Sequence, residues 1–65
     1  MKPVKNPSKP AIAEIIRASE HKAAKWLKHT ETGDMYYWPA EHYQHAQVAA
    51  MFGISDYTKG IATLD

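Results

Sequence analysis

Four histidines are the residues of this 65-residue chain best suited to chemistry, and they stand at positions 21, 29, 42 and 45. His42 and His45 are three residues apart, so both side chains could face one metal ion if the segment is helical. The zinc-binding pattern of two histidines four residues apart around a glutamate is absent, and the chain has no cysteine. We therefore expect no metal. We predict that His45 is a partly buried helical residue bonded to a backbone or tyrosine oxygen, and that His42 lies at the surface.

Acid–base catalysis needs two or three polar groups that converge in a cleft. The candidates are His29, Asp34, Tyr36 and His42, which could gather at one end of a hairpin. The same residue types are ordinary in turns and on surfaces. A chain of this length also has little material for a ligand pocket of several hundred cubic ångströms. We predict no catalytic residue, no cofactor and no enzyme.

An aromatic cluster is the other distinctive feature, and it consists of Trp26, Tyr36, Tyr37 and Trp38. Tyrosine and tryptophan are concentrated at protein interaction hot spots because each offers a large contact area with a polar tip. Exposed rings also stack on nucleic-acid bases, but stacking surfaces are normally flanked by several basic residues. We explain the cluster by core packing first, by a protein interface second and by base stacking third.

The cluster lies in a predicted β-hairpin over residues 25–38, where two apolar runs flank a Thr-Glu-Thr-Gly-Asp turn. Gly33 suits the left-handed conformation that often follows a type I turn. Strand alternation places Met35 with Tyr37 on one face and Tyr36 with Trp38 on the other.

We expect the helices to cover only one face of this hairpin. Trp38 is predicted to point inward, because it lies beside Pro39, where the next helix is expected to begin. The opposite face then leaves Met35, Tyr37 and Trp26 as the predicted protein interface.

A helix is predicted to precede the hairpin. Residues 1–7 are expected to be a flexible leader, and residues 8–65 a single small domain. Ser8 is the N-cap candidate, with Pro10 tolerated in the first turn. Apolar residues at spacings of three and four then define a helical stripe that begins at Ile12. The pattern leaves open whether residues 22–28 continue the helix or form a strand; we favour a break near Glu20.

A second helix is predicted from Ala40 to about Phe52, because Pro39 suits its first turn and Gly53 its end. Its expected inward stripe consists of His45, Val48, Ala49 and Phe52, with Tyr43 or Met51 at the edge. The tail over residues 55–65 is ambiguous, and a short third strand from Ile61 to Leu64 is possible. The predicted fold class is therefore α+β: a helix, a hairpin and a second helix packed on it.

Residues 48–58 also resemble the first half of a helix-turn-helix, with Gly53 at the turn. The second half departs from that motif. Lys59 stands where an apolar residue should pack inward, and Gly60 weakens a helix. A degenerate helix-turn-helix over residues 46–62 therefore supports only an alternative function, that of a compact DNA-binding domain.

Composition narrows the classes further. The formal net charge is +1, with eight basic and seven acidic residues, whereas a nucleic-acid binder needs a concentrated basic face. No apolar run approaches the ~18 residues of a membrane span, and the first ten residues lack the apolar segment of a signal peptide. We expect a cytoplasmic protein without a membrane partner. Because so small a domain is usually marginal, a homodimer is one expected arrangement.

The stretch Thr-Gly-Asp-Met-Tyr-Tyr-Trp-Pro-Ala at residues 32–40, with His45 and the Phe-Gly-Ile of residues 52–54, resembles small uncharacterised phage and prophage proteins. The resemblance covers about residues 23–60. It implies a phage accessory role and no catalytic residue, and it singles out Trp38 and His45 as either a core pair or a site. Together these observations predict a small interaction module that binds an unidentified protein through exposed aromatics.

Overall fold

The computed structural model describes residues 1–64, which form a four-stranded antiparallel sheet and two helices. This confirms the α+β class; Asp65, the last residue of the predicted domain, lies outside the described residues. The strands stand in the order β1-β3-β2-β4 within the sheet. In chain order the elements are β1 (Val4–Lys5), α1 (Lys9–Ala18), β2 (Ala23–His29), β3 (Met35–Pro39), α2 (His45–Met51) and β4 (Tyr57–Thr63).

The central hairpin of β2 and β3 is confirmed, with Trp26 opposite Tyr37 and Lys28 opposite Met35. Gly33 has φ +79°, the left-handed conformation that the turn was predicted to need. Its N–H donates to the carbonyl of His29 at 2.7 Å and closes the turn. The turn therefore forms for the reason that the sequence indicated.

The first helix begins as predicted, because the Ser8 hydroxyl accepts the Ala11 N–H at 3.3 Å. It ends at Ala18, and residues 23–29 are strand, which resolves the ambiguity of residues 22–28. Lys22 makes the reversal with φ +52°, a conformation that a non-glycine residue adopts at some cost. The favoured break near Glu20 is therefore confirmed, and it needs neither glycine nor proline.

Each helix covers a different face of the sheet, so the expectation that only one face is covered is wrong. On the face that we call the α1 face, Ile15 and Ile16 pack with Ala24, Tyr37 and partly buried neighbours. The α2 face has a separate core, in which helix residues meet β2 and β3; it consists of Leu27, Tyr36, Trp38, Val48, Ala49 and Ile54. Strand alternation gives each face its own apolar set, and the reversal at Lys22 places α1 behind the hairpin.

The segment expected as a flexible leader contributes β1, which pairs with β3 through Val4 and Lys5. Val4 and Lys5 are therefore part of the sheet and not of a flexible leader. Asn6 continues the pairing, because its N–H donates to the carbonyl of Met35 at 2.6 Å and its side-chain oxygen accepts the Met35 N–H at 2.9 Å.

The second helix is shorter than predicted, because it begins at His45 and not at Ala40. Pro39 is the last residue of β3 rather than the first of the helix, and the next residue still pairs, since the Ala40 N–H donates to the Ala23 carbonyl at 3.1 Å. Phe52 was expected to be inward; it is 44% exposed, and one side of its ring packs on buried Tyr36, with the ring centroids 4.6 Å apart.

The strand predicted near the C-terminus, from Ile61 to Leu64, is present as β4 and is longer than predicted. It spans Tyr57–Thr63 and pairs with β2 along its whole length. The second half of the proposed helix-turn-helix is therefore strand, and the motif is not formed over residues 46–62. No helix within residues 1–64 is long and apolar enough to cross a bilayer.

Candidate functional site

The most distinctive local contact joins Trp26 of β2 to Gly60 of β4, which are paired across the sheet. A Cβ atom added at Gly60 would lie 2.4 Å from Cζ2 of the indole, far inside van der Waals contact. The ring therefore rests on the glycine backbone, and only glycine leaves it that space. An aromatic ring over a strand glycine replaces contacts that the missing side chain cannot make. Sequence reasoning treated Gly60 only as a helix breaker and missed this pairing.

The α1 helix covers only part of its face, because its apolar residues pack around Ala24, Tyr37 and Ala62. The uncovered part, which we call the Trp26 surface, extends along β2 and β3 and onto β4. Its four residues are Trp26, Lys28, Met35 and Thr58, and they share the α1 face by strand alternation. Trp26 and Met35 are half-buried, and Lys28 and Thr58 are exposed.

The three residues predicted as a protein interface lie on one face, as strand alternation predicts. Tyr37 is more exposed than its neighbours Tyr36 and Trp38, which are buried. However, Tyr37 packs against the α1 core, so it supports the fold more than expected. Met35 and Trp26 belong to the Trp26 surface, and their role in binding stays a prediction.

The structure brings Trp38 and His45 into contact on the α2 face, with ring centroids 5.5 Å apart at 68°. Trp38 is fully buried, and its indole N–H donates to the carbonyl of Tyr43 at 3.1 Å. These are the contacts of a core pair; a functional role for them stays a prediction.

The imidazole of His45 lies with Nε2 3.4 Å from the carbonyl oxygen of Gly60, the kind of backbone contact that the sequence predicts. Partial burial is the main reason that its pKa is lowered from the usual value, and the nearby charges of Lys25 and Lys59 lower it further. The Gly60 carbonyl acts in the opposite direction, because it favours the protonated ring. The arrangement therefore favours a neutral ring that donates to the backbone.

His42 lies in the turn before α2, not on the helix, so it does not share a helical face with His45. Its Nδ1 is 3.1 Å from the N-terminal amine. Within residues 1–64, no three histidine, aspartate or glutamate side chains gather where they could hold a metal ion. That same part of the chain has no cavity of ligand size.

The four candidates for acid–base chemistry are not brought together. His29 and Asp34 do meet at the hairpin turn, where Thr32 bridges them: its hydroxyl donates to Asp34 at 2.9 Å and lies 3.1 Å from Nδ1 of His29. Tyr36 is buried on the α2 face instead. The Asn6 amide, and then Thr32, lower the pKa of Asp34, so this carboxylate is held ionised as a turn-forming acceptor.

A second polar cluster, missed by sequence reasoning, joins the end of α1 to the loop before α2. The buried Ser19 hydroxyl donates to Glu41 at 2.6 Å, and the Glu20 N–H donates to the other carboxylate oxygen at 2.7 Å. These two bonds, the Ser19 bond foremost, lower the pKa of Glu41 to about 2. The cluster therefore fastens two elements.

Comparisons with known proteins add no relative, because no family model, no curated protein and no solved structure matches this chain.

Proposed function

We propose that this chain is a small protein-interaction module that docks a protein partner on the Trp26 surface. The observation that carries the proposal is the fixed position of Trp26. Its ring is held against the backbone of Gly60 and stays partly exposed, beyond the part of the face that α1 covers. A ring already held in place loses little conformational freedom when a partner binds it, so more of its contact energy contributes to affinity.

The neighbours of Trp26 also suit a protein partner. Met35 is half-buried on the adjacent strand, and an unbranched thioether adapts its shape to a partner surface. Lys28 and Thr58 are exposed and supply a polar rim with a single positive charge. A central aromatic and apolar patch with a polar rim is the usual anatomy of an interface between proteins.

Two further parts of the proposal come from the sequence. The resemblance of residues 23–60 to phage and prophage proteins supports an accessory role of that kind. A cytoplasmic location is the second part, and it stays a prediction.

A charge placed on the Trp26 surface tests the proposal. Met35→Lys puts an ammonium beside the indole, whereas Met51→Lys places the same charge on the exposed side of α2, where Met51 is 51% exposed. The wild type and both variants are immobilised, and the proteins that each captures from a lysate of the source cells are quantified. We expect a protein that the wild type and Met51→Lys enrich and that Met35→Lys loses. Equal loss in both variants, or in neither, would contradict the assignment of the surface.

Binding of duplex DNA is measured on the same samples at about 50 mM and about 200 mM salt, because phosphate contacts make affinity fall steeply with salt. We expect no such binding. Salt-sensitive DNA binding that Met35→Lys leaves intact would instead favour the alternative of a compact DNA-binding domain.

A further inference from the structure

We propose that β4 pairs edge to edge with β4 of a second copy of this chain, so that the two sheets join as one. This assembly is built on the outer edge of β4, which shares only Thr58 with the Trp26 surface, and it does not depend on the function of that surface. The sheet order places β1 and β4 at its edges. β1 is only two residues long and Asn6 extends it, whereas β4 offers seven residues along its outer edge.

The register with β2 determines which backbone groups of β4 face outward. The Thr30 N–H donates to the carbonyl of Asp56 at 3.2 Å, so the even-numbered residues of this strand turn their backbone groups toward β2. The odd-numbered residues therefore turn theirs toward the open edge; they are Tyr57, Lys59, Ile61 and Thr63. A second antiparallel strand can satisfy these donors and acceptors.

The side chains of the edge favour a second copy over other strands because they complement themselves in one register. The outward backbone groups of one copy must face the outward backbone groups of the other. A two-fold axis in the middle of β4 can therefore pair Lys59, Gly60 or Ile61 with the same residue of the other copy. The register centred on Lys59 opposes two like charges, which is unfavourable. The register centred on Gly60 places Ile61 opposite Lys59 of the other copy.

The third register places the two Ile61 side chains opposite each other, and each is 55% exposed in the single chain. It separates the lysines, since each Lys59 then faces Thr63. On the α1 face the same register brings Leu64, which is 49% exposed, opposite Thr58 of the other copy and diagonally next to its Gly60, which Trp26 covers. One pairing therefore covers an exposed apolar residue on each face of the sheet, Ile61 on the α2 face and Leu64 on the α1 face.

Single cysteines test the register, because the natural chain has none. The two Ile61 residues would form a hydrogen-bonded pair, in which the Cα atoms lie about 5.5 Å apart, a distance that a disulfide can span. Under mild oxidation we expect Ile61→Cys to form a linked dimer at least about ten times faster than Lys59→Cys or Thr63→Cys, on the basis of that geometry. Equal rates would indicate random collision, and fastest linkage at Lys59→Cys would indicate the opposed-lysine register; either result overturns the proposal.

Sedimentation from about 10 µM to about 1 mM, the range of weak association, tests the assembly without a crosslink. We expect wild-type protein to dimerise, Ile61→Lys to dimerise at least about tenfold more weakly because it opposes two charges, and Met51→Lys to match the wild type. Circular dichroism checks that Ile61→Lys is folded. A wild-type protein that stays monomeric throughout, or equal weakening by both variants, overturns the proposal.

The two proposals fail separately. Ile61 lies on the opposite face from Met35, so Ile61→Lys should weaken dimerisation and still enrich the protein that binds the Trp26 surface. Met35→Lys should lose that protein and still dimerise.

Discussion

At the scale of single residues, the contact of Trp26 with Gly60 links the fold to the proposed surface. Gly60→Ala should destabilise the protein by about 1–3 kcal/mol, because the new Cβ would lie 2.4 Å from the indole and the ring must move. In a Trp26→Ala background the same change should stabilise by about 0.5–1 kcal/mol, since alanine is less costly than glycine within a strand. Urea unfolding of the four proteins measures both effects. Additive changes would show that the ring does not rest on the glycine.

Gly33 is a glycine of a different kind, because a Cβ there would meet no atom within 4 Å. Its φ of +79° makes the cost one of backbone conformation alone. Gly33→Ala should therefore destabilise by about 1 kcal/mol, and Gly33→Val by more. Gly33→Asn, which tolerates this conformation, should cost less than Gly33→Ala. Chemical unfolding of the three variants checks the order, and a cost for asparagine equal to that for valine would contradict the assignment.

The sequence predicts the residues that act locally. Ser8 and Gly33 each fulfil a rule that involves only neighbours in the chain, so their roles could be read directly. Gly60 and Glu41 could not be placed, because their partners lie 34 and 22 residues away along the chain, at Trp26 and Ser19. Those contacts exist only once the order of the strands is known.

At the scale of elements, Glu41 fastens the end of α1 to the loop before α2, and this contact should depend on pH. Its pKa in the folded protein is about 2, below the ordinary 4.5. The unfolded chain therefore takes up the proton first as pH falls. The stabilisation is complete above pH 4.5 and is lost as pH falls to about 2.

Glu41→Gln should thus lower the melting temperature at neutral pH and make its decline between pH 4.5 and 2 shallower than in the wild type. Glu14→Gln, an exposed change on α1, controls for the loss of one negative charge. Thermal unfolding followed by circular dichroism at each pH makes the comparison. Parallel declines in the wild type and Glu41→Gln would show that the carboxylate does not fasten the two elements.

Trp38 ties β3 to the loop before α2 through its indole N–H and its full burial. Trp38→Ala should destabilise by about 3 kcal/mol or more, which is typical of a large core truncation. Trp38→Phe keeps most of the ring and loses only the indole bond, since the Tyr43 carbonyl still accepts from the Lys25 ammonium at 2.9 Å, so it should cost less than Trp38→Ala. Denaturant unfolding of both variants separates packing from the hydrogen bond. A cost under 1 kcal/mol for Trp38→Ala would contradict its place in the core.

The hairpin and α1 could be predicted because their periodicities and turn residues agree with each other. The start of α2 could not, because proline suits both the first turn of a helix and the end of a strand, and the pairing of Ala40 with Ala23 decides for the strand. β4 was underestimated because Gly60 weakens a strand pattern until the ring of Trp26 covers it.

At the scale of the whole molecule, the two helices pack on opposite faces of the sheet. The prediction of one covered face was wrong because each face of the sheet has its own apolar residues, which α1 covers in part on one side and α2 covers on the other. On its face α2 packs over a core of six buried residues, whereas α1 packs on only part of its own face. The Trp26 surface is the remaining part, so the proposed site follows from a helix of ten residues on a sheet of four strands.

The affinity of the purified protein for the partner enriched through the Trp26 surface tests the central claim most directly. Calorimetry would compare the wild type, Met35→Lys and Met51→Lys at about 50 mM and about 200 mM salt, the range over which phosphate contacts weaken by orders of magnitude. We predict that Met35→Lys weakens binding by about thirtyfold, or ~2 kcal/mol. Met51→Lys should leave the affinity unchanged, and the wild-type affinity should vary little with salt. Equal affinities for Met35→Lys and the wild type would contradict the claim.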